Sequence, residues 1–109
     1  MKARLIGVKS CRHCRHLVKS WGQQGVKFVK RNEEYKGNMD GVKIISEYWD
    51  GDDDDLQDEL DKMNIDDFPA IQIIDNSGAE IFTFDHALYP TGVSFKKIWD
   101  KIQTLETTI

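Results

Sequence analysis

"SCRHCRHL", residues 10–17, decides how this chain is read. It holds both cysteines of the protein, two residues apart, with histidines on either side of Cys14. Thiols so placed suit a redox pair, half of a zinc site or a haem attachment motif, and the flanking residues discriminate among these. Upstream, "ARLIGVK" (3–9) is a short apolar run bounded by Ser10, the pattern of a buried strand. Downstream, Cys14, Leu17, Val18, Trp21, Gly25, Phe28 and Val29 recur at helical steps. The spacing predicts a helix from about Arg12, capped by Ser10 and continuing to about Tyr35; the other reading of "GVKFVKRN" (25–32) is a second strand with Gly25 as the turn. Gly22 and Gly25 each cost it about 1 kcal/mol relative to Ala, so a kink is expected there.

The rest of the chain alternates strand and helix. "YKGNMDG" (35–41) reads as a loop and "VKIISEYW" (42–49) as a strand. The aspartate run "DGDDDD" leads into a short helix carrying Leu56, Leu60 and Met63, its carboxylates placed where the helix dipole favours negative charge. "FPAIQIID" (68–75) and "AEIFTFD" (79–85) read as a hairpin joined by "NSG". "ALYPTG" is a loop, and Phe95, Ile98, Trp99, Ile102 and Leu105 mark a closing helix. The order βαβαββα predicts an α/β fold with a four-stranded mixed sheet flanked by helices. Its βαβ half is a parallel crossover, and the hairpin lies antiparallel beyond the first strand. Trp21, Phe28 and Trp99 are expected in the core. Trp49 and Tyr89, the latter beside Pro90, suit either core packing or contact with a partner.

At 109 residues the chain is expected to be one domain, 1–109. No apolar run approaches the roughly 20 residues of a membrane span, and the first eleven residues are too briefly apolar for a signal peptide. The expectation is a cytoplasmic monomer with no membrane partner, whose cysteines serve chemistry rather than a structural staple. The net charge of -4 conceals a split. Residues 1–36 hold ten Lys/Arg against two Glu, and residues 50–67 hold ten Asp/Glu against one Lys. The basic half lacks the interleaved aromatics of a single-strand binder, so no nucleic-acid partner is expected.

A C-x-x-C at a strand-to-helix junction carries specific chemistry. The first helical turn has unpaired backbone N–H groups and about half a positive charge, which favour a thiolate. Cys11 is therefore the candidate attacking thiol. Cys14, one turn on, is the candidate resolving thiol. Helix-end thiols of this kind have pKa values lowered to roughly 3.5–7.5. Lys9, Arg12 and His13 are candidate tuning residues that act in the same direction.

The strand followed by "CRHC" opening a helix, "FP" at 68–69 opening a later strand, and the order of elements together resemble the thioredoxin superfamily in its minimal, glutaredoxin-like form. The resemblance covers nearly the whole chain. It implies a cis peptide before Pro69, placed beside the cysteines, and a backbone at Phe68 free to pair with an extended substrate. It also implies a thiol–disulfide oxidoreductase needing no cofactor or metal. Its partners would be disulfide-bearing proteins and a reductase or low-molecular-weight thiol that restores the dithiol. The chain departs from the pattern in several places. Neither Cys-Pro-Tyr-Cys nor Cys-Gly-Pro-Cys is present, and "HALYPTG" stands where glutaredoxins hold glutathione with Gly-Gly-x-Asp. Leu5 occupies the place of the buried Asp of thioredoxins, and Ser46 that of its Lys partner. His13 before Cys14 resembles the Cys-Pro-His-Cys of thiol oxidases and suggests a more oxidising couple than thioredoxin's roughly -270 mV.

Rival readings of the same residues are weaker. Haem attachment needs C-x-x-C-H, and Arg15 follows Cys14. A zinc site would need Cys11, Cys14, His13 or His16, and His86, without any second ligand pair. The aspartate run lacks the Gly and Glu that an EF-hand loop requires; Asp55 and Asp61 hold those places. An adaptor that binds partners through the same groove without redox turnover is the alternative from another class.

Overall fold

The structure, a computed structural model, describes residues 1–30, 33–65, 68–84 and 95–107. The strands are β1 (Lys2–Gly7), β2 (Val26–Val29), β3 (Ile44–Asp50), β4 (Ala70–Ile74) and β5 (Glu80–Phe84). The helices are α1 (Arg12–Gln23), α2 (Gln57–Lys62) and α3 (Phe95–Thr107), with a single 3-10 turn, Asp54–Leu56, leading into α2. The fold is α/β, and its mixed sheet has five strands in the order β2-β3-β1-β4-β5. The β1–β3 and β2–β3 pairs are parallel, and the β1–β4 and β4–β5 pairs are antiparallel. The expected parallel half and the hairpin beyond the first strand are both present.

The fifth strand corrects the sequence reading. The helix expected to reach Tyr35 ends at Gln23, and Val26–Val29 form the edge strand β2. Gly25 makes the reversal with φ +94, a conformation open to glycine and strained for other residues. Its N–H bonds back to the Gly22 carbonyl, while its own carbonyl accepts from Lys43 N–H at 2.8 Å and so ties the turn to the approach to β3. Val26 is thereby buried in the sheet, and Phe28 stacks on Trp21 with ring centroids 6.0 Å apart.

Side chains alternate across the sheet, so its two faces carry different residues. Ala3, Leu5, Ile71 and Ile73 face α1 and α3 and pack with Leu17, Trp21, Phe95, Ile98 and Ile102. On the other face Ile6 and Trp49 pack beneath Leu56 and Leu60. Trp49 is thus a core residue, 2% exposed, in the cluster against which Phe68 packs. Beside it lies a polar cluster that the sequence did not reveal. Register sets Arg4 opposite both Glu47 and Gln72. The Arg4 guanidinium donates to Glu47 Oε1 at 3.3 Å and to Gln72 Oε1 at 3.2 Å, and covers the Trp49 ring at 3.9 Å. The Trp49 indole N–H donates to the same carboxylate at 3.2 Å.

The aspartate run plays the capping role expected of it. Asp53 caps the 3-10 turn, its side chain accepting from Asp55 N–H at 3.0 Å, and Asp50 accepts from Asp52 N–H at 3.0 Å. The loop expected at 86–92, with His86, Tyr89 and Pro90, lies outside the described residues. Among the described residues no helix is long and apolar enough to cross a membrane.

Candidate functional site

The site forms where β1 ends and α1 begins. After Gly7 the chain turns, with Cys11 N–H donating to the Val8 carbonyl at 3.0 Å, and enters α1 at Arg12. The N-cap is Cys11 itself, not Ser10 as the sequence suggested: its backbone is extended (φ -85, ψ 113) and its sulfur accepts from Cys14 N–H at 3.2 Å. A thiol in the position usually held by Ser, Asp or Thr receives one of the orphan amides of the first turn.

The two thiols differ in surroundings. Cys11 is half-buried and Cys14 is buried, 1% exposed; both are reduced. Burial, with its side-chain hydrogen bond to Cys11, pushes the Cys14 thiol up to about 11. Cys14 therefore keeps its proton at neutral pH, which leaves Cys11 as the sulfur that meets solvent and reagents.

Across the gap stands the start of β4. The Phe68–Pro69 peptide is cis, and Pro69 is buried. The Cys11 thiol donates to the Phe68 carbonyl at 3.8 Å. Residues 57 positions apart in the chain thus meet at one sulfur, the juxtaposition expected of these candidates. The Phe68 ring packs against the second hydrophobic cluster, beside Gly51, whose N–H bonds to the Gly7 carbonyl at 2.7 Å. Lys9, Arg12 and His13 are all exposed and lie within two residues of Cys11 in the chain.

One residue of the site escaped the sequence reading. A Cβ at Gly7 would lie 2.8 Å from Cys14 Cβ, 3.1 Å from Cys14 Sγ and 3.3 Å from Tyr48 Oη. The missing side chain at position 7 is what lets both the Cys14 thiol and the Tyr48 hydroxyl approach the end of β1. Register places Tyr48, rather than Ser46, opposite Leu5. Ser46 is fully buried opposite Ala3, and its hydroxyl has no hydrogen-bond partner among the described residues. Burial raises the Tyr48 pKa, and the charges of Asp50 and the two thiols add to the effect, so it stays a neutral hydroxyl able to donate. The alternation of Ile44, Ser46 and Tyr48 along β3 was the one available signal for its direction.

His16 is exposed on α1. Among the described residues no group of three or more His, Cys, Asp or Glu side chains converges to hold a metal ion. Compared with known proteins, the chain matches no family model, no curated protein and no solved structure.

Proposed function

We propose that this chain is a thiol–disulfide oxidoreductase of thioredoxin-like architecture, with Cys11 as nucleophile and Cys14 as resolving thiol. One observation carries the reading. The half-buried sulfur at the α1 N-cap receives the Cys14 amide at 3.2 Å and faces the Phe68 carbonyl at 3.8 Å, with the second thiol buried one turn behind.

The chemistry follows from that asymmetry. The Cys11 thiolate attacks one sulfur of a partner's disulfide, forming a mixed disulfide and expelling the partner's other sulfur as thiolate, which takes up a proton. Cys14 then gives up its proton and attacks the Cys11 sulfur. The Cys11–Cys14 disulfide forms, and the second partner thiolate leaves and is protonated. The partner has gained two electrons and two protons, and the protein has lost them. An external dithiol or low-molecular-weight thiol reverses the balance in a later exchange. Cys14 stays protonated until the mixed disulfide forms, so it does not compete for the first step. Tyr48 places a neutral hydroxyl at the Gly7 end of β1, on the same side as the Cys14 thiol. Phe68 and Pro69 present backbone to an extended partner segment, which would pair with them as an added strand. Lys9 and Arg12, exposed and within two residues of Cys11 in the chain, are cationic side chains, and His13 stands between the two cysteines.

Reduction of insulin disulfides by the prereduced protein tests this. Wild type is expected to precipitate the insulin B chain, Cys11→Ser to be inactive, and Cys14→Ser to stall as a covalent adduct. Full activity in Cys11→Ser would end the reading and leave a binding module in its place.

A further inference from the structure

Beside the thiols, on the flank formed by α1, β2 and β3, lies a groove of about 490 Å³. Val18, Phe28 and Tyr48 give it an apolar floor. Lys9, Arg15, Lys19 and Lys30 stand around it, all exposed, and no carboxylate is among its lining residues. Phe28, Val29 and Lys30 also line an adjoining hollow, where Glu33 and Glu34 stand. The groove approaches the cysteine site through two of its lining residues: Lys9, two residues before Cys11, and Tyr48, whose hydroxyl lies at the Gly7 end of β1. The loop after β3 carries the opposite charge: Asp52, Asp53, Asp54 and Asp55 are exposed there, near the Gly51–Phe68 side of the site. The field around the thiols therefore reverses from cationic over α1 and β2 to anionic over residues 52–55.

Apolar floor and cationic rim together define an occupant. Lysine and arginine side chains in solvent attract carboxylates weakly one at a time, but four around one groove raise the local concentration of an anionic ligand and orient its approach. The floor accommodates one or two apolar side chains, which charge alone would not recognise. We infer that this groove receives an acidic segment of the partner protein, carrying an apolar anchor and lying next in sequence to the disulfide that Cys11 attacks. The anionic loop at 52–55 repels that segment and so fixes which way it lies across the site. This inference rests on the oxidoreductase reading for the chemistry, while the groove's selectivity can be measured apart from it.

The test uses two synthetic peptide disulfides equal in length and leucine content, one flanked by aspartates and one by lysines. Neutral hydroxyethyl disulfide serves as reference. Reduced wild type is expected to react about tenfold faster with the acidic peptide at low ionic strength, the difference shrinking as salt screens it. Lys19→Glu/Lys30→Glu, changed at two exposed positions remote from the sulfurs in sequence, should lose that preference and keep the hydroxyethyl disulfide rate. Equal rates for the two peptides, or a preference that survives the double substitution, would overturn the inference while leaving the redox chemistry standing. Titration with the acidic peptide carrying serines for cysteines separates the other failure. Salt-sensitive binding weakened by the double substitution supports the groove even in a protein that reduces nothing. Equal or tighter competition by a single-stranded oligonucleotide, or by a second copy of this chain seen as peptide-sensitive dimerisation, would refute assignment to an acidic partner segment.

Discussion

Removing the carboxylate of Glu47 probes how completely the sheet's second face is sealed. Arg4 and Glu47 are each about 5% exposed in their side chains, and their atoms approach to 3.3 Å. The guanidinium also donates to Gln72 and, at 3.4 Å, to the Gly78 carbonyl. Glu47→Leu keeps most of the volume but leaves a buried guanidinium without this carboxylate, and it removes one acceptor from the Trp49 indole. Breaking a buried pair on one side costs about 3–5 kcal/mol. Against a total stability of about 5–15 kcal/mol for a domain of this size, that is a large fraction. It corresponds to a fall in Tm of at least about 12 °C. Arg4→Met/Glu47→Leu removes both charges together, and such apolar replacements are often neutral or better. The double variant should therefore recover at least about 2 kcal/mol relative to the sum of the two single changes, a coupling read from urea unfolding of all four proteins. A Glu47→Leu cost below about 1 kcal/mol, or strict additivity, would mean that water reaches the guanidinium and that the cluster is not part of a sealed core.

Two further outcomes follow from the cysteine site. The folded Cys14 pKa of about 11 lies above the ordinary 9.0, so its neutral form is favoured by folding. That contribution is complete below pH 9 and is lost as pH rises from there through about 11, because the unfolded chain ionises first. Reduced wild type should lose on the order of 2 kcal/mol across that window relative to Cys14→Ala, and parallel pH profiles for the two would contradict the burial argument. Gly7→Ala places a methyl 2.8 Å from Cys14 Cβ, an overpacking that should cost about 1–3 kcal/mol in urea unfolding and prolong the mixed-disulfide intermediate. A fully stable, fully active Gly7→Ala protein would show that the approach of Cys14 and Tyr48 is not tight.

Particular residues show why some of this was legible in the sequence and some was not. The start of α1, the hairpin β4–β5 and helix α3 follow from patterns long enough to have one period, and the meeting of Cys11 with Phe68–Pro69 followed from a family resemblance. β2 was missed because "VKFV" is four residues long, and its apolar positions also continue the helical steps from Trp21. Periodicity does not separate the two choices at that length. What separates them is the positive φ of Gly25, the turn residue of the alternative reading, whose glycine the helical spacing could also absorb. Nothing in the local sequence marks Arg4 and Glu47 as a buried pair, because their burial is made by strand register between positions 43 apart. Tyr48 was hidden for the same reason, since its neighbours Gly7 and Cys14 come from β1 and α1. Local sequence carries capping, turns and periodicity, whereas the polar cluster and the wall of the site arise only when distant strands align.

The most direct test of the central claim is equilibration of the protein in glutathione buffers of graded potential, with the Cys11–Cys14 disulfide quantified by mass after acid quenching. The account predicts one two-electron transition to an intramolecular disulfide, with a midpoint between about -270 and -120 mV. Independent glutathionylation of the two cysteines with no internal disulfide, or thiols that stay unreactive until a chelator removes a bound metal, would contradict it.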